Sequence, residues 1–193
     1  HTRDEFIRVI DYAATQHNIP FMSIKVTGLA RFALLENMDT LMTKEQGTLV
    51  SRYEKTVSEL LSADEQTEWQ RVLNRMVLIC KTASEKNIGV LIDAEETWIQ
   101  DPVDALTTVM MDEFNKTKAV VYNTAQLYRH DRLQFVKDCL EAAEKRNFIL
   151  GIKLVRGAYM EKERKRAEEM SYPSPIQPNK ESSDRDYNEA VEF

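Results

Sequence analysis

Three apolar, strand-like runs begin about 30 residues apart, the length of one strand-plus-helix unit, and they constrain this chain more than any other feature. They are "IGVLIDAEE" from Ile88, "KAVVYNTAQLY" from Lys118 and "FILGIKLVRGAY" from Phe148. Each leads into a helical pattern: "DPVDALTTVMMDEFN", "DRLQFVKDCLEAAEKRN" and "EKERKRAEEM". An earlier run, "FMSIKV" from Phe21 to Val26, has the same character. Near-continuous apolar strands that alternate with helices belong to a parallel sheet covered on both faces. Neither G-x-G-x-x-G nor G-x-x-x-x-G-K-[ST] occurs, so a dinucleotide fingerprint and a P-loop are both missing from a doubly wound reading. The pattern predicts an α/β fold of the (β/α)8 barrel type. With a whole barrel at about 250 residues, this chain is expected to hold about half of one.

The remaining segments fit that frame. Phe6, Ile7, Val9, Ile10 and Ala13 recur at helical spacing, and "HNIP" then stops the helix at Pro20. Residues 31–61 read as an irregular, Met/Leu-rich helical insert. Ser62 followed by Glu65 forms a capping box. It opens a long helix whose apolar face carries Trp69, Val72, Leu73, Met76 and Ile79. Asp101 and Pro102 are expected as N-cap and first turn of the next helix, and the alternating charges of "EKERKRAEEM" as a solvated face. A Pro/Ser-rich loop, "SYPSPIQPNKESS", precedes a final helix that runs into "DYNEAVEF" without a stop signal. From that ending and the missing initiator Met, the chain reads as one part of a single barrel domain, residues 1–193, with the C-terminal part of the barrel outside it.

Charge and composition exclude several functions. A net charge of −6 gives no electrostatic case for nucleic acid. No apolar run approaches the roughly 18 residues of a membrane span, and the charged opening "HTRDEFIRVI" does not read as a signal peptide. Cys80 and Cys139, both inside helical patterns, are expected as buried thiols of a reducing compartment. His1, His17 and His130 lack metal-ligand spacing, no serine sits in a nucleophile elbow, and no metal is expected.

Barrel active sites lie at the C-terminal ends of the strands, and there the polar residues gather. The first strand delivers Lys25, the second Asp93 with Glu95 and Glu96, the third Asn123 with Thr124, and the fourth Lys153, Arg156 and Tyr159. That set suits a small charged molecule beside an anionic cofactor. Structural roles stay open for each: Asp93 or Glu96 as helix caps, Asn123 serving loop backbone, and Lys153 and Arg156 paired with Asp93 and Glu95 in an ion network.

The blocks "MSIKVTGL", "LIDAEE", "VVYNTAQLY" and "IKLVRGAYMEKERKRA", in this order, resemble the proline dehydrogenase (proline oxidase) family, in its monofunctional, eukaryote-like branch. The resemblance runs from about Pro20 to Tyr187. It implies a distorted (β/α)8 barrel that holds FAD and oxidises L-proline to Δ1-pyrroline-5-carboxylate, with electrons passing to a quinone at a membrane surface. It places Lys25, Asp93 and Tyr159 at the substrate, and Asn123, Lys153, Val155, Gly157 and Ala158 at the flavin. Arg156 and Lys180 are expected on the cofactor side as well. The family's paired arginines that clamp the substrate carboxylate have no counterpart in this stretch, and no fused aldehyde dehydrogenase is traceable in it. The resemblance further implies a bacterial cytoplasmic or inner-membrane setting, or a mitochondrial one. Hydroxyproline oxidation and a Schiff-base aldolase built on Lys25 or Lys153 are the alternative activities, and a binding module without catalysis is a third.

Overall fold

Four short strands carry the architecture: β1 (Phe21–Ile24), β2 (Gly89–Ile92), β3 (Val121–Gln126) and β4 (Ile152–Val155). The computed structural model describes residues 2–193. In it the strands form one sheet in the order β1-β2-β3-β4, every neighbouring pair parallel. A doubly wound sheet would reverse its strand order at a switch point. Strictly sequential parallel order is instead that of a barrel wall, and these strands make part of one.

The register sorts residues between two faces, because neighbours along a strand point to opposite sides. Ser23 pairs with Leu91, Leu91 with Tyr122, and Thr124 with Lys153, so these residues share the inner, concave-side face. Val90, Ile92, Val121 and Ala125 lie on the other face and are fully buried. That outer face meets helices α1 (Thr2–Ala14), α4 (Ala63–Lys86) and α5 (Gln100–Phe114). Helices α6 (Arg132–Arg146) and α8 (Lys180–Val191) cover β3 and β4 around a smaller cluster of Ala125, Leu127, Val136 and Ala190.

The segment between β1 and α4 is more ordered than its sequence predicts. A 3-10 turn (Val26–Gly28) leads into α2 (Phe32–Met42), then α3 (Leu49–Lys55), which runs on into a π-helical turn (Thr56–Leu60). Leu34, Leu35, Met38 and Met42 are fully buried in the main core, so these helices are part of the fold's interior. The expected capping box opens α4, with Ser62 and Glu65 satisfying each other's backbone N–H. Trp69, Val72, Met76 and Ile79 of its apolar face are fully buried, and the Trp69 indole N–H donates to the Tyr53 hydroxyl at 2.9 Å.

Three local expectations need correction. Helix α5 begins at Gln100 with Ile99 in the cap position, so neither Asp101 nor Pro102 stands where the sequence puts it. The Asp101 N–H donates across to the Asp39 carboxylate of α2 at 3.0 Å; a cap supplied by another helix leaves no local sequence signal. Glu96 caps nothing with its side chain and accepts from Lys162 at 2.8 Å. Helix α7 (Met160–Met170) is mostly solvated as predicted, but Glu163 within it is fully buried.

Candidate active site

The inner face ends at a cluster that draws on all four strands. Lys25 follows β1 in extended backbone and donates through Nζ to the Tyr159 hydroxyl at 2.8 Å. Its Nζ also lies 3.9 Å from the Glu95 carboxylate. Glu95 accepts from the Thr27 hydroxyl at 2.8 Å and is itself buried. Burial pushes the Glu95 carboxyl above its ordinary range, against the opposing pull of Thr27 and Lys25. The Tyr159 hydrogen bond holds the half-exposed Lys25 ammonium above its usual value. Beside this group, Lys153 of β4 is hydrogen-bonded and ion-paired to Asp93, just past β2.

The backbone around the cluster is held by side chains rather than by the sheet ladder. Gln126, the last residue of β3, donates through Nε2 to the Glu95 carbonyl at 2.9 Å and accepts from the Ala158 N–H at 3.2 Å. Gln100 accepts from the Glu95 N–H at 2.9 Å and donates to Asp104 at 2.8 Å. Glu163 accepts from both the N–H and the hydroxyl of Thr97, each at 2.7 Å, which fastens α7 to the loop after β2. Gly157 has φ +142°, and any Cβ there would overlap the Tyr128 ring, so the step into Ala158 requires glycine.

The expected residues divide cleanly by position. Lys25, Asp93, Lys153 and Tyr159 come together at the mouth, with Val155, Gly157 and Ala158 along its β4 side. Asn123 does not join them. The register turns it toward the helices, where it is fully buried and donates to Asp104 at 2.9 Å. Arg156 is exposed, ion-paired to Asp184 of α8 and stacked 4.4 Å from the Tyr187 ring. Lys180, the first residue of α8, pairs with the same Asp184. Thr27, Gln100, Gln126 and Glu163 are polar residues that sequence reasoning passed over. Two-residue counting from Tyr122 would have put Thr124 and Gln126 on the inner face in place of Asn123. Among the described residues, no group of three or more His, Cys, Asp or Glu side chains could hold a metal. Both cysteines are free and buried, their thiols pushed up to about 12 by that burial.

With the geometry in view, the sequence can be set against known proteins. The family model described as proline dehydrogenase matches residues 2–193. The chain belongs to the proline dehydrogenase family. It is 37% identical over 127 residues to proline dehydrogenase 1, mitochondrial, of Drosophila melanogaster, covering 66% of this chain and 19% of that protein. It is 32% identical over 189 residues to the carbapenem antibiotics biosynthesis protein CarD of Pectobacterium carotovorum, covering 97% and 44% respectively. The crystal structure of proline utilization A (PutA) from Bdellovibrio bacteriovorus, inactivated by N-propargylglycine, superposes with a TM-score of 0.74 at 20% identity, over 98% of this chain and 19% of that one. The fold is therefore shared with a proline dehydrogenase-family barrel, and the chain spans less than half the length of these relatives.

Proposed function

We propose that this chain supplies part of the active site of an FAD-dependent enzyme that oxidises L-proline to Δ1-pyrroline-5-carboxylate. The observation that carries the reading is the convergence of Lys25, Asp93, Lys153 and Tyr159 at one mouth, beside a backbone step that only glycine permits. A cationic and anionic pair on a concave face suits a small zwitterion, and Tyr159, fixed by Lys25, offers a ring wall against which a pyrrolidine packs. Asp93 presents a carboxylate toward the substrate's amine, and Lys153 holds that carboxylate in place.

The donor set also fits FAD. When bound, the flavin would supply the hydride-accepting ring that no side chain can replace. Lys153 would set positive charge near that ring, and Val155, Gly157 and Ala158 would lie along it, with the Tyr128 ring packed where Gly157 lacks a Cβ. Arg156 and Lys180, brought together on Asp184, would offer cations to its phosphate end. The proposal does not lean on Asn123, whose amide is tied to Asp104. A Schiff-base lysine needs a depressed pKa; Lys25 is shifted the other way and Lys153 is ion-paired, so the aldolase reading has little support.

Electrons would pass from the flavin to a quinone, with the protein meeting the membrane at its surface. No helix among the described residues is long and apolar enough to cross one. The mitochondrial name of the Drosophila relative supports a mitochondrial setting. The test is the visible spectrum of the full-length protein, taken anaerobically before and after L-proline. An oxidised-flavin spectrum that bleaches with proline is expected. A flavin that bleaches only with 4-hydroxyproline would move the substrate, and a protein that stays colourless after loading with FAD would overturn the reading.

A further inference from the structure

We propose that Glu163 is a positioning residue that sets the width of the mouth between Tyr159 and Asp93, and through that width the ring size the site admits. The inference rests on the reading of this mouth as the proline site. Glu163 is fully buried in the otherwise solvated helix α7. Glutamate is almost never fully buried unless paired, yet among the described residues no cation bonds to this carboxylate. Each oxygen is instead taken by one group of Thr97, the N–H and the hydroxyl, both at 2.7 Å. A buried charge is a poor source of net stability, so its retention points to the position it enforces.

That position bears on the mouth. Tyr159 follows β4 and Asp93 follows β2, and no ladder bond joins those strands because β3 lies between them. The gap between the two residues is therefore left to contacts beyond the strands. Glu163 spans it alone: its backbone N–H donates to the Tyr159 carbonyl at 2.9 Å, and its side chain holds Thr97, four residues beyond Asp93. Its neighbours on α7 repeat the grip. Lys162 donates to Glu96 at 2.8 Å, and the Arg166 guanidinium lies 4.3 Å from the Trp98 ring while donating to Glu36 of α2 at 2.7 Å. Lys162 is exposed and Arg166 half-buried, where ion pairs are worth little; of the three, only Glu163 makes its contact out of solvent. Alanine there would leave the Thr97 N–H unpaired and free the start of α7 from the loop. Glutamine keeps both bonds, its Oε1 accepting from the N–H and its Nε2 donating to the Thr97 hydroxyl oxygen.

Two readouts on the full-length protein test this. By amide hydrogen exchange, the Thr97 N–H in Glu163→Ala is expected to exchange about tenfold faster, the scale of one hydrogen bond lost, with α4 unchanged. L-pipecolate has a ring one methylene larger than that of L-proline. It is expected to compete with proline about tenfold more strongly in this variant than in the wild type, the scale on which a fitted pocket judges one methylene. Flavin content should be retained, and Glu163→Gln should return both readouts to wild type. Thr97 exchange at the wild-type rate would overturn the proposal. So would Glu163→Gln behaving as the alanine variant, because span rather than charge is what Glu163 supplies. If Glu163→Ala does not fold, Thr97→Val, which loses only the hydroxyl bond, decides: pipecolate competition is expected to rise about threefold, and no rise overturns the proposal. A wild type that oxidises no proline would overturn the enzymatic reading and the ring-size claim together. A wild type that does, with competition unchanged in the variants, would overturn the ring-size claim alone and leave Glu163 a structural role.

Discussion

Asp39 holds the residue with the clearest pH consequence. Its carboxyl accepts the Asp101 N–H while lying beside the Asp101 carboxylate, which Arg52 neutralises at 2.9 Å. Burial, then the neighbouring Asp101 charge, raise its pKa from 3.8 to about 7. Between those values the folded chain keeps a proton that the unfolded chain has released, so rising pH favours unfolding. The stabilisation is complete below pH 3.8 and lost by about pH 7, with a slope of at most about 1.4 kcal/mol per pH unit. Asp39→Asn keeps an acceptor for Asp101 and cannot ionise. It is expected to flatten the fall in urea midpoint across that window; an unchanged slope would assign the pH dependence elsewhere. Asp39 was illegible in the sequence, because its environment comes from helix α5, 62 residues away in sequence. Lys25 and Asp93 were legible because each directly follows an apolar strand. Asn123 was read to the wrong side of its strand, although it stands one residue from Tyr122 and therefore on the opposite face.

Among the elements, the end of α5 shows how little sequence can be needed to join three of them. Asn115 is fully buried and uses its whole amide: Nδ2 donates to the Val121 and Ile149 carbonyls, and Oδ1 accepts from the Val120 and Val121 N–H groups. Replacing it with Ala would strand four backbone groups at the foot of β3 and the approach to β4. We expect Asn115→Ala to lower stability by about 3 kcal/mol or more, measured by urea unfolding; a loss under about 1 kcal/mol would mean that water reaches the site. Strong helical periodicity made α1, α4, α5 and α6 readable to within a few residues. Helices α2 and α3 showed only as helical patches, because a polar loop separates them and a π-helical turn ends α3, so no period runs through the segment. Glu163 was unreadable within α7 because the groups it serves, the N–H and hydroxyl of Thr97, belong to another loop.

For the molecule as a whole, the regular recurrence of strand and helix was enough to predict a parallel barrel wall. What recurrence could not supply was the face that each polar residue takes. The inner face of the four strands is open: Phe21 at its base is 45% exposed, and Lys25 at its mouth is half exposed. A hydride transfer needs its reactants enclosed from water. The 193-residue chain by itself is therefore expected to show no proline-dependent reduction of an artificial dye; turnover would mean that these four strands suffice.

The sequential strand order also bears on how the chain is made. As it leaves the ribosome, each new strand meets a partner that already exists, so the growing edge passes from β1 to β2, β3 and β4 in turn. One edge of the sheet advances while the outer edge of β1 stays open, and an exposed edge is where chains pair wrongly. Along this sheet, the order of the strands in the chain is also their order in space.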